Sequence, residues 1–314
     1  MTQITIRQKI YIVFLLSLCF ALASCAQQQT WIGSKKARQN VPSELVAKMS
    51  SMGMNLKAPI LIRIFKKENS LEIWKQQNNG KFGLLKNYNI CAWSGKLGPK
   101  YMEDDRQTPE GFYEINVNNM NALSNYYLAI NMGFPNRFDV ENGRTGGHLM
   151  IHGGCSSSGC YAMNDRNIAQ IYALARDAFL GGQTTIQIQA YPFRMTARNM
   201  ALYRSDSNYA FWNNIKLGYD IFELTHAPVL YEVFKGEYVF NDASNANIIY
   251  MYNRVFKPNY DKEYKYYVSH TPKNYKPKNP KFQGIKGAKE AAKVAEWMKK
   301  AIKTGVESAS EPLL

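Results

Sequence analysis

Between residues 148 and 163 the chain runs His-Leu-Met-Ile-His-Gly-Gly-Cys-Ser-Ser-Ser-Gly-Cys-Tyr-Ala-Met. Two residue types in it can carry out acyl transfer together. A cysteine thiolate is a strong nucleophile, and a histidine in reach can take its proton and later return one to a leaving amine. His152 and Cys160 have the types and proximity for these roles. The sequence after Cys160 turns helical, which predicts Cys160 at the junction of a loop and a helix. There the unpaired N–H groups and the helix dipole would favour the thiolate. Successive N–H groups at Ser158, Gly159 and Cys160 offer donors for the oxyanion of a tetrahedral intermediate. Two other readings of the same cluster stand beside this one. Cys155 and Cys160 could close a small disulfide while the histidines cap a strand. A zinc site is the weaker alternative, since neither a Cys-x-x-Cys pair nor a helical His-x-x-x-His pair accompanies the cluster.

Such side chains need a scaffold. The apolar run Leu149, Met150, Ile151 predicts a buried strand that ends at His152, and the Gly/Ser stretch beyond it can bend tightly. Upstream, Pro59 to Lys66 alternates around Ile60, Ile62 and Ile64. Strands are also expected at 71–75, 81–93, 112–117 and 127–132, with a turn at Asn78-Asn79-Gly80. The charged loop 98–111, with Asp104, Asp105 and Arg106, is either a flap beside the site or a solvated connection. Downstream, Asn164 and Asp165 are N-cap residues for a helix whose apolar face is Ile168, Ile171, Tyr172, Ala175 and Phe179. Gly181-Gly182 ends it, and Thr184 to Ala190 alternates as a strand. A second helix is expected from Ser207 to Lys216, extendable to Thr225, then a hairpin over 229–240 turning at Lys235-Gly236. Strands outnumber helices, so the expected class is mainly β with α elements (α+β).

Several ordered motifs resemble one family. Leu97-Gly98-Pro99-Lys100, Thr108-Pro109-Glu110-Gly111-Phe112-Tyr113, Asn131-Met132-Gly133-Phe134-Pro135, Met150-Ile151-His152-Gly153, Ser157-Ser158-Gly159-Cys160-Tyr161-Ala162-Met163 and Tyr191-Pro192-Phe193-Arg194-Met195-Thr196 are similar to the YkuD-type L,D-transpeptidases, most closely their YafK-like branch. The eight-residue step from His152 to Cys160 is about half the usual one and fits that branch. Ser158 stands where the common form has a second histidine, and Ala162 where it often has arginine. The resemblance implies a YkuD-like β-sandwich with a helix after the nucleophile, Cys160 as nucleophile and His152 as general acid/base. It further implies a Gly153 carbonyl that orients His152 and oxyanion donors at Ser158 and Gly159. The implied substrate is the peptidoglycan stem peptide, cut at the carbonyl of its diamino acid through a thioester. An amine acceptor would give transpeptidation. Water would give hydrolysis, and the branch is associated with release of wall-attached lipoprotein, an amidase activity. Neither metal nor organic cofactor is required. Arg194, Arg198 and Tyr161 are candidates to contact substrate. The alternative from another class is a non-catalytic peptidoglycan-binding lipoprotein.

The ends of the chain carry a different message. Arg7 and Lys9 precede an apolar run, Ile10 to Ala23, followed by Leu22-Ala23-Ser24-Cys25. The run is short for a spanning helix, and the pattern resembles a lipoprotein signal with Cys25 as the lipidated residue. Residues 1–24 are therefore expected to be removed, and 25–57 to tether a catalytic domain at 58–242. Ala26 after the cysteine favours sorting to the outer membrane over retention, with the protein facing the periplasm. Loss of Arg7 and Lys9 takes the net charge from +15 to +13. A chain with an export signal is not expected to meet nucleic acid. Residues 243–314 form an extension. From Thr271 it holds ten lysines and four glutamates, a Pro/Lys/Asn-rich linker and a possible helix over 287–303. With Cys19 removed and Cys25 lipidated, Cys91, Cys155 and Cys160 remain, an odd number in an oxidising compartment. If Cys160 is the free nucleophile, Cys91–Cys155 is the structural pair. A Cys155–Cys160 bridge is the competing arrangement.

Overall fold

The alternating apolar runs become strands close to where their patterns place them. The computed structural model describes residues 30–240, 253–254, 257–272 and 275–277. The signal and Cys25, the 242/243 boundary and the lysine-rich helix at 287–303 lie outside the described residues. In chain order the elements are α1 (Ser43–Ser51), β1 (Ile60–Phe65), β2 (Ser70–Gln76), β3 (Phe82–Asn89), β4 (Gly111–Ile115), β5 (Met120–Asn121), β6 (Ala129–Asn131) and α2 (Arg137–Glu141). Then come β7 (Met150–His152), β8 (Tyr161–Ala162), α3 (Asp165–Leu180), β9 (Ile186–Tyr191), α4 (Ala197–Leu202), α5 (Tyr209–Thr225), β10 (Glu232–Phe234), β11 (Glu237–Val239) and α6 (Lys257–His270).

Five strands form one sheet in the order β3-β2-β1-β9-β4. Only β1 and β9 run parallel in it. Every residue of β1 and of β9 is buried, so both faces of the sheet centre are covered. Successive side chains in a strand point to opposite faces. Arg63 and Phe65 meet α5, where Arg63 pairs with Glu223 and Phe65 meets the edge of Tyr219. Ile60, Ile62 and Ile64 therefore point to the other face. Helix α3 lies against β1 and also against β6 and β7 of a second sheet, ordered β5-β6-β7-β8. Asn164 caps α3 by accepting from the Asn167 N–H, as its residue type predicts. The architecture is α+β with sheets dominant.

Two expectations need correction. Residues 30–57 are not a free tether. Trp31, Ala37, Val41, Leu45 and Met49 are buried in the main core, and Trp31 packs edge-on against Phe179 of α3. The backbone is pinned as well: Tyr172 Oη donates to the Trp31 carbonyl at 2.6 Å, and Arg176 donates to the carbonyls of Ala37 and Gln39. The scattered apolar residues lacked a period because they serve a wrapping segment. The extension also contains a helix that the sequence did not signal. α6 packs on α4, and its Tyr264 hydroxyl lies 3.0 Å from that of Tyr209 at the start of α5, yet none of its residues is fully buried. A tyrosine-rich helix lying on the surface has too little apolar asymmetry to stand out.

Candidate active site

The base candidate ends β7, and the nucleophile candidate immediately precedes β8. β7 and β8 are parallel, with Ile151 opposite Tyr161 and His152 opposite Ala162. Extending that register one residue back sets Cys160 opposite Met150, whose N–H points at Cys160 Sγ from 3.4 Å. Met150 and His152 are two apart and share a face, so His152 and Cys160 lie diagonally on one side of the sheet. Both line a cavity of about 460 Å³. Asn121, Asn125 and Tyr126 line it from β5 and the loop beyond, and His148, Met150 and Ser158 line it too.

His152 is almost fully buried, and its Nδ1 lies 2.6 Å from the Gly153 carbonyl oxygen. A carbonyl only accepts, so in the neutral ring Nδ1 carries the hydrogen and Nε2 keeps its lone pair. That is the tautomer a general base requires. Burial pushes the imidazole pKa below its ordinary value, and the Gly153 bond opposes part of that.

The surroundings of Cys160 differ from expectation. β8 follows it directly, and α3 begins only at Asp165, so Cys160 is not at the N-terminus of the helix that follows. Burial pushes the thiol pKa up, while the Met150 N–H and the charge of Lys100 pull it down. Thiol and imidazole are therefore both held toward their neutral forms. The expected oxyanion donors are also partly engaged. The N–H groups of Gly159 and Cys160 donate to Ser157 Oγ at 3.3 and 3.1 Å. That hydroxyl in turn donates to the Cys160 carbonyl at 2.6 Å and lies 3.2 Å from Ser94 Oγ. Thr108 Oγ1 completes the cradle by accepting the Ser94 N–H and donating to the Ser94 carbonyl. Ser94, Ser157 and Thr108 were given no role in the sequence-based site: Ser94 stands outside the motifs, and the motifs that contain Ser157 and Thr108 do not tell which hydroxyls meet in space.

A disulfide joins Cys91 to Cys155, with Cα atoms 5.2 Å apart, and Cys160 is free. Beside it, the N–H groups of Cys91 and Ala92 donate to the Ala162 carbonyl. The segment after β3 is thus stapled to both ends of the nucleophile loop. Loop 98–111 supports this segment from behind; none of its residues lines the cavity. Asp105 organises it, pairing with Lys100 and accepting the N–H groups of Tyr101, Met102 and Gln107. At its base Lys66 and Glu110 form a fully buried ion pair 3.0 Å apart. Glu110 also accepts from the Gly98 N–H and Trp212 Nε1.

The remaining substrate-contact candidates fall elsewhere. Tyr161 is wholly buried and donates its hydroxyl to the Pro109 carbonyl, because its position in β8 alternates away from the cavity. Arg194 pairs with Glu72 and lies over the Phe65 ring, and Arg198 is exposed; neither lines the cavity.

A free cysteine just before β8 and a histidine at the end of β7, lining one cavity in an α+β fold, form an arrangement of the type that cysteine acyl transfer uses. Comparison with known proteins specifies the family. Residues 59–188 match the model of the YkuD L,D-transpeptidase catalytic domain. The chain is 38% identical over 234 residues to the "Putative L,D-transpeptidase YafK" of Escherichia coli (strain K12), covering 74% of this chain and 92% of that protein. The same values hold for the protein of that name from Escherichia coli O157:H7. Among solved structures, the helical cell shape determining protein Pgp2 from Campylobacter jejuni is 18% identical, with a TM-score of 0.35, over 61% of this chain and 80% of that one. That likeness is too slight to carry an argument. This chain belongs to the YkuD L,D-transpeptidase family.

Proposed function

We propose that the protein is a periplasmic, lipid-anchored cysteine enzyme that cuts peptidoglycan stem peptides at the carbonyl of the diamino acid. His152 Nε2 takes the Cys160 proton as Sγ bonds to that carbonyl carbon. The C–N bond then breaks, the departing amine leaves with the proton from His152, and a thioester remains on Cys160. In the second half an amine or water attacks the thioester, gives its proton to His152, and the sulfur leaves to be reprotonated. The observation that carries this reading is the Gly153 carbonyl oxygen 2.6 Å from His152 Nδ1, beside a free thiol in one cavity. Proton transfer within a neutral pair suits two groups that burial holds uncharged.

Capture by water is the outcome we favour, which would release wall-attached lipoprotein. Its support is the resemblance to the YafK-like branch. Lipidation of Cys25 and sorting to the outer membrane belong to the same proposal and rest on the N-terminal pattern. The decisive assay incubates purified protein with wall fragments, with and without a lysine-ended peptide, and weighs the products. Hydrolysis yields trimmed stems in both arms, and transpeptidation yields peptide-joined stems in the second. No product in either arm, with no adduct on Cys160, leaves the non-catalytic wall-binding alternative.

A further inference from the structure

The cavity contains a residue that the family motifs did not single out. Tyr126 lies just before β6, and its ring centroid is 4.6 Å from that of the His152 imidazole, with the planes tilted by 40°. Contact this close between flat rings is favourable and geometrically restrictive. The backbone of Tyr126 is held from both sides. Its N–H donates to Ser124 Oγ at 3.1 Å, and its carbonyl accepts the N–H groups of Gly153 and Leu128. The two glycines after His152 make room for it. A Cβ on Gly153 would stand 2.7 Å from the Tyr126 carbonyl and 2.6 Å from Asp165 Oδ1, and one on Gly154 would meet the Tyr126 ring at 3.1 Å. Sequence, backbone and side chain thus cooperate to bring one aromatic ring over one imidazole.

We propose that Tyr126 is a positioning residue, whose ring clamps the His152 imidazole so that Nδ1 stays on the Gly153 carbonyl and Nε2 stays available to the Cys160 proton. The inference deepens the proposed cysteine mechanism and rests on it. Without the ring, an imidazole held at one nitrogen by a single bond can turn about its side chain and lose the productive tautomer. Tyr126 also lines the cavity with His152 and Cys160. Its hydroxyl stays protonated, pushed that way by burial and by the negative charge the nearby sulfur can carry, so it adds no charge of its own. The other titratable groups around the imidazole are Cys160 and His148 in the same cavity, and Asp165, which accepts the Gly154 N–H. They are common to every variant below.

The test compares Tyr126→Leu with Tyr126→Phe in the full chain, using muropeptides with tetrapeptide stems as the probe. Thioester formation on Cys160 is timed by intact mass across pH. In parallel, NMR of labelled histidine follows the His152 titration and reports whether each variant is folded. A ring that clamps predicts about 10- to 100-fold slower acylation in Tyr126→Leu. Its acid limb should move to higher pH as water reaches the imidazole, and Tyr126→Phe should stay within about twofold of wild type. Wild-type kinetics and titration in Tyr126→Leu overturn the proposal, as does a Tyr126→Phe variant as slow as Tyr126→Leu. Failure of the wild type to form any adduct would instead sink the cysteine mechanism. The titration then still decides the clamp: it stands if Tyr126→Leu alone raises the His152 midpoint and falls if the midpoint is unmoved.

Discussion

The two sheets divide the work unequally. The strands of the β3-β2-β1-β9-β4 sheet are five to eight residues long, and its centre is sealed on both faces by α3 and α5. The strands of β5-β6-β7-β8 are only two or three residues long, yet they carry His152 and flank Cys160. Strands so short bring few ladder bonds and little apolar area. Order around the nucleophile comes from other devices: a disulfide, a hydroxyl cradle at Ser157, and backbone donors aimed at side chains. The long sheet supplies stability in bulk, and the short one supplies placement by individually weak, specific contacts. Damage in one region should therefore read mainly as lost stability, and damage in the other mainly as lost chemistry.

The strongest test of that division is Cys160→Ala. It should lower turnover by at least roughly 10⁴-fold, while the denaturant midpoint of the protein stays close to wild type. A large fall in midpoint would mean that the site is part of the core after all. At the other extreme stands Glu110→Ala, which takes away the carboxylate that offsets burial of the Lys66 ammonium. It should cost about 3–5 kcal/mol of stability by urea unfolding, and any lost activity should track the unfolded fraction. Between the two regions lies the Cys91–Cys155 bridge, which closes a loop across a sequence separation of 64. Replacing both cysteines with serine should cost about 2–4 kcal/mol and also slow acylation of the residual folded protein, since the bridge anchors the nucleophile loop. An effect confined to stability would show that Ser157 and Ser94 hold the loop unaided.

The smallest effect is in pH. A histidine base works only when neutral, and burial holds the pKa of the His152 imidazole, the proposed base, below the ordinary histidine value. The acid limb of kcat/KM should therefore fall below that of a free histidine. The thiol is shifted the other way. Its alkylation by iodoacetamide should keep climbing with pH past the ordinary cysteine range. A plateau at neutral pH would reveal a standing thiolate–imidazolium pair and refute the neutral-pair description.

Legibility followed the same division. Ile60, Ile62 and Ile64 announce β1 because every second residue is apolar, the period at which side chains of a strand return to one face. α3 is equally plain from its cap and its stripe. Cys160 and His152 stood out because few residue types carry out acyl transfer, and their spacing is distinctive. The rest of the site was silent. β8 is two residues long, too short for a period, so the chain beyond Cys160 looked helical immediately. That is why a helix dipole was expected at the sulfur. Tyr126 looks like any aromatic residue entering a strand, and only its approach to Gly153 and Gly154 in space gives it meaning. Ser157 was part of a recognisable motif, but its sequence does not tell that its oxygen collects two of the N–H groups expected to face a substrate.

The embedded Trp31 has a consequence for the proposed lipid anchor. On the proposed lipidation of Cys25, only Ala26 to Thr30 intervene before the chain enters the folded body. Fully stretched, so few residues span on the order of 20 Å. On that proposal, so short a leash would keep the folded body next to the bilayer that holds the lipid.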